Sequence, residues 1–120
     1  MAHTTITDMG HFDWVETGLV GNLLEADALP FTTMTGVIKI AIRRTAGGGA
    51  TAGVITLYQQ AVGDPPDAVY TELPGAQYSL VTATSRISQG IEVGSGTYKF
   101  VVTGFAGALT YDLGFQDIHS

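Results

Sequence analysis

Cysteine is absent from the 120-residue chain, and this excludes disulfides, cysteine-containing zinc sites and thiol catalysis together. Stability must therefore come from burial or assembly. Charge is also scarce, at 13% of residues, and unbalanced: five Lys and Arg stand against eleven Asp and Glu, for a formal net charge of −6. A nucleic-acid binder needs a cationic face to neutralise phosphates. Lys39, Arg43, Arg44, Arg86 and Lys99 are too few and too scattered to build one, so no direct nucleic-acid partner is expected. The acidic balance serves solubility, or docking on a basic protein surface.

Long apolar runs are missing too. No stretch approaches the roughly 18 residues of a membrane-spanning helix, so no membrane partner is expected. Residues 1–10 are polar and lack the basic region and apolar run of a secretory signal, which points to synthesis in a cytoplasm. The three histidines, His3, His11 and His119, sit near the chain ends without a His-x-x-x-His spacing, and they are read as polar surface residues. Neither a metal nor another cofactor is expected.

What the chain has in plenty is glycine, 16 residues of it, between short β-type runs. There is no Gly-X-Y period, so these glycines read as turn residues. The length fits one domain with a single core, and the hydrophobic fraction of 45% is enough to fill it.

Residues 36–45 give the clearest strand: Ile38, Ile40 and Ile42 alternate with Lys39, Ala41 and Arg43. Period two with β-branched residues is a pleated, half-buried pattern that no helix shares. A glycine-rich segment, 45–53, joins it to a run at 53–60, and the join reads as a hairpin with a long mobile tip. Asp64-Pro65-Pro66-Asp67 breaks the pattern, and residues 68–73 restart it. Pro74-Gly75 is a turn signal leading to a strand at 77–82. Ile87, Ile91 and Val93 mark a further apolar side, and residues 97–103 form a strand with Tyr98, Phe100 and Val102 on one face. Leu109, Tyr111, Leu113 and Phe115 alternate down the last one. About eight short strands predict an all-β domain, an antiparallel β-sandwich or a jelly-roll-like barrel, over residues 1–120. Residues 1–30 read as a less regular N-terminal arm or edge segment. Within them 11–17 is a candidate strand carrying Phe12 and Trp14, and 19–28 is loop and edge with one helical turn. A strand is also expected at 28–34.

Candidate chemistry is thin. The loop from Gly47 to Gly53 has no following Lys-Ser or Lys-Thr, so it reads as a turn and not as a phosphate cradle. Asp64 and Asp67 offer two carboxylates where calcium wants several oxygens, and they read as a solvated turn. Asp13, Glu16, Glu25 and Asp27 are close in sequence, but no pairing singles them out as general acid and base. Trp14, Tyr58, Tyr70, Tyr78, Tyr98 and Tyr111 could line a sugar-stacking platform, although aromatics in β-sheets more commonly serve the core. No enzyme is expected.

The order of features is familiar. A Trp-bearing stretch leads into Thr35-Gly36-Val37-Ile38-Lys39-Ile40-Ala41-Ile42, then a glycine-rich join and Gly53-Val54-Ile55-Thr56-Leu57-Tyr58. Tyr70-Thr71-Glu72-Leu73 follows, and the chain closes with Gly96-Thr97-Tyr98-Lys99-Phe100-Val101-Val102-Thr103-Gly104 and Leu109-Thr110-Tyr111. Across residues 12–116 this resembles the small β-sandwich structural proteins of tailed bacteriophages, capsid decoration or cement proteins among them. The resemblance implies a virion protein on the outer capsid surface that clamps neighbouring capsomers. Its partners would be the major capsid protein and two further copies of itself in a homotrimer. The segments left over for contact with a partner are Phe12 and Trp14, with Gly47, Gly48 and Gly49. A tail, baseplate or head-fibre module, or a carbohydrate-binding adhesive module, is the alternative.

Overall fold

A computed structural model describes residues 12–60, 65 and 68–118, so the readings on His3, His11, His119, Asp64 and Asp67 lie outside the described residues. The described chain is all β, with a single turn of 3-10 helix at Glu25–Asp27. The described residues form nine strands: β1 Asp13–Leu19, β2 Pro30–Thr33, β3 Val37–Ala46, β4 Ala50–Gln59, β5 Thr71–Ser79, β6 Arg86–Ile87, β7 Ile91–Glu92, β8 Gly96–Gly107 and β9 Thr110–Asp117.

They form two antiparallel sheets packed face to face, a sandwich and not a closed barrel. The first sheet has the order β1-β9-β3-β6, with β7 also on β3, and the second has the order β2-β8-β4-β5. Period-two alternation puts Ile38, Ile40 and Ile42 of β3 and Tyr111, Leu113 and Phe115 of β9 on the inner face of the first sheet, all of them buried. Ile55 and Leu57 of β4 and Tyr98, Phe100 and Val102 of β8 meet them from the second. Each of these side chains contributes roughly 1.5–3 kcal/mol of burial free energy. Phe31 of β2 couples the layers, its ring 4.6 Å from that of Phe100 and 4.5 Å from that of Phe115.

Two connections depart from the sequence reading. β3 and β4 belong to different sheets, so the Gly47-Gly48-Gly49 join is a short arch from one layer to the other and not a hairpin tip. β8 and β9 cross between the layers in the same way, and the two arches are stacked, with the Ala108 N–H donating to the Gly49 carbonyl at 2.9 Å. Pro74-Gly75 does not reverse the chain either. It lies inside β5, where residues 72 and 77 pair with Tyr58 and Thr56, so that four residues of β5 bulge opposite Leu57 alone. An edge strand accommodates this because its outer N–H groups need no ladder partner. The N-terminal third follows its expectation more closely, with strands on either side of the one helical turn.

Candidate functional site

The sequence-derived contact residues fall into two separate places. Trp14 of β1 pairs with Gly114 of β9, which in turn pairs with Ala41 of β3. With no side chain at Gly114, the indole folds down over the outer face of the first sheet, where a Cβ at residue 114 would stand 2.8 Å from its Cε3. Phe12 and Ala41 are buried beside it, and Trp14 and Ile87 pack against them, forming a small second core outside the sandwich. Arg43 closes the top, its guanidinium carbon 4.0 Å from the Trp14 ring centroid. The same guanidinium donates from Nε and Nη2 to Asp112 Oδ2 at 2.9 and 2.8 Å, and the other carboxylate oxygen accepts the Gly18 N–H at 2.8 Å. Asp112 thereby ties β1, β9 and β3 together. The Trp14 Nε1–H is buried without an acceptor among the described residues. Phe12 and Trp14 are thus largely spent on holding β1 to the sheet.

Gly47, Gly48 and Gly49 sit about 20 Å further along β3 by strand rise, so the structure does not join them to the Trp14 cluster. Gly47 has φ +85°, and a Cβ there would lie 1.7 Å from the Ala108 carbonyl oxygen. Gly49, at φ +126°, would meet the Ala83 backbone at 2.9 Å. Only Gly48 faces open space. Glycine is required at the first position for close passage of the two arches, and at the third for close approach to the Thr82-Ala83 backbone.

A third place was not marked as a contact by sequence. β1 and β2 are edge strands on the same side of the sandwich, and Glu16 bridges them by accepting the Leu29 N–H at 2.5 Å. Burial pushes the Glu16 carboxyl above its ordinary value, opposed by that N–H and by the Lys99 charge. Lys99 donates to Glu25 Oε2 at 2.9 Å and to the Glu25 carbonyl at 3.2 Å, and lies 4.5 Å from the Tyr70 ring centroid. The hydrogen bond from Lys99 holds the Glu25 carboxyl below its usual range. Four of the exposed large apolar side chains, Val20, Leu24, Leu29 and Met34, fall between residues 20 and 34. The sequence signal was weak but present: Leu24 and Leu29 stand in the irregular stretch between the first two strands.

The six-aromatic platform does not assemble. Tyr98 and Tyr111 are core residues with hydroxyls donating to Val93, Gly94 and Gly21 carbonyls, and Tyr70 is buried over Lys99. Burial raises both core tyrosines above the ordinary phenol value. Tyr78 lies under the Arg86 guanidinium, whose carbon is 4.8 Å from the ring centroid. Among the described residues no group of three or more His, Asp or Glu converges as a metal-binding set, and no helix is long and apolar enough to cross a membrane. No family model matches the chain, and no curated protein matches it in sequence.

Proposed function

We propose that this chain is a virion structural protein that binds the outer surface of a tailed-phage capsid and stabilises the head by clamping neighbouring capsomers. Its partners in this reading are the major capsid protein and, as a homotrimer, its own copies. The observation that carries it is the contrast between blunted edges and an exposed apolar segment. β1 is broken by two register shifts, β2 is four residues long and begins with Pro30, β5 bulges at Pro74-Gly75, and β6 and β7 have two residues each. Such edges resist strand-to-strand aggregation. The molecule nevertheless leaves Val20, Leu24, Leu29 and Met34 in solvent within residues 20–34, a segment suited to a docking contact. A module repeated on a lattice gains strength from many modest contacts.

Electron microscopy of the particles that contain the protein tests this. Density for it on the head lattice, and heads that tolerate less heat when it is missing, are expected. Its confinement to a tail or fibre, or its absence from particles, overturns the reading.

A further inference from the structure

Leu24 adjoins Glu25 in the chain, Leu29 adjoins Pro30, the β2 partner of Lys99, and Val69 adjoins Tyr70, whose ring lies over the Lys99 ammonium. Leu23 bridges Val102 and Pro30 pairs with Lys99, so the backbone that carries Leu24 and Leu29 leaves the edge of β8 and rejoins it about 10 Å along that strand. Val69 precedes Tyr70, whose N–H donates to Glu25 Oε2 at 3.3 Å. The three side chains are 60%, 56% and 71% exposed.

The charges around them have one sign available. Lys99 is held by Glu25 and covered by Tyr70, so its ammonium is already engaged. Asp27, on the helical turn between the two leucines, is exposed. Glu72 is exposed as well, and it lies across the sheet from Lys99 because Tyr58 pairs with both. One ammonium against the carboxylates of Glu25, Asp27 and Glu72 leaves a local balance of −2. Elsewhere Arg43, Arg44 and Arg86 are likewise bonded internally, to Asp112, the Gly47 carbonyl and the Ser79 and Val81 carbonyls.

We infer that the Leu24–Leu29–Val69 surface is a docking site for a protein partner presenting apolar side chains ringed by lysine or arginine. Stable interfaces combine an apolar centre with a polar rim. Here the three apolar side chains form the centre, while Asp27 and Glu72 supply acceptors for cationic donors. A second copy fits poorly on the same patch, because it brings the same acidic rim and a net charge of −6. A homotrimer would then be built through another surface. The inference rests on the reading of the chain as a binding module, and it adds which face binds and what chemistry meets it.

The test is a titration of the full chain, followed by amide chemical shifts, with two synthetic peptides: alternating Leu-Lys and alternating Leu-Glu. Binding of the Leu-Lys peptide is expected to shift residues 24–29, 69 and 72, to weaken at least tenfold in high salt, and to be lost in the L24S/L29S double variant. The D27N/E72Q variant is expected to bind with a shallower salt dependence. Equal binding of both peptides, shifts confined to other faces, or no binding overturns the site. So does self-association of the wild type that L24S/L29S abolishes, since the occupant is then a second copy. Microscopy separates the two readings: protein on heads with this face turned to solvent sinks the site alone, and particles without the protein sink the capsid role alone.

Discussion

Glu16 on β1 and Leu29 at the head of β2 are joined across the open side of the sandwich, the buried carboxylate accepting the backbone N–H at 2.5 Å. On the opposite side Arg86 of β6 donates to the Ser79 and Val81 carbonyls at the end of β5. Each open flank of the two-sheet stack is thus closed by one long polar side chain.

The Glu16 bridge carries a pH signature. Its folded-state carboxyl lies above the ordinary 4.5, so the folded form binds the proton more tightly than the unfolded chain does. Its ionised form therefore costs stability at neutral pH, and that cost is relieved as pH falls through the raised value towards 4.5. Glu16→Gln keeps an acceptor for Leu29 without the charge. Chemical denaturation should find this variant as stable as the wild type or more so at neutral pH, with its advantage shrinking on acidification. Glu25→Gln should behave oppositely: its lowered carboxyl contributes stability above 4.5 that is lost as pH falls through the folded value, so this variant's deficit is largest at neutral pH.

The glycine arch predicts a sharp contrast between neighbours. Gly47→Ala forces a side chain into the Ala108 carbonyl at positive φ, and should destabilise by about 3–5 kcal/mol. Gly48→Ala meets nothing and should change stability by no more than about 0.5 kcal/mol. Thermal melts of the two variants, side by side, decide the matter; similar melting temperatures would contradict the packed arch.

Arg43→Ala uncovers the Trp14 indole and leaves the buried Asp112 carboxylate with only the Gly18 N–H. A loss of about 2 kcal/mol is expected, together with red-shifted tryptophan emission. Trp14 is the single tryptophan, so the emission reports this site alone. Arg43→Lys should restore part of the stability and little of the emission, because an ammonium stacks poorly on the ring.

Phe31→Ala removes the ring that touches Phe100 in its own sheet and Phe115 in the facing one. The expected cost is about 3–5 kcal/mol, read as a lower denaturation midpoint with an unchanged slope.

Much of the architecture was legible because strand burial has a period of two. The isoleucines of β3 and the last four alternating apolar residues announce their inner faces without reference to any partner. The contact residues were less legible. Trp14 reads as a free aromatic in the sequence, yet Gly114, a hundred positions later, makes the bed that receives it. Pro74-Gly75 reads as a reversal, and only its place on an edge turns it into a bulge.

By itself the sequence determined an all-β chain without thiol chemistry, with a surplus of carboxylates, and with alternating faces able to fill one core. Its glycines marked where the chain must bend. Only the tertiary structure decided which strands share a sheet, that Gly47–Gly49 spans the two layers, and that Leu24, Leu29 and Val69 are left exposed while Lys99 pairs with Glu25. Alternation is a local property, fixed by the geometry of each strand. Sheet membership depends on pairing between distant segments, and the same local pattern serves either layer.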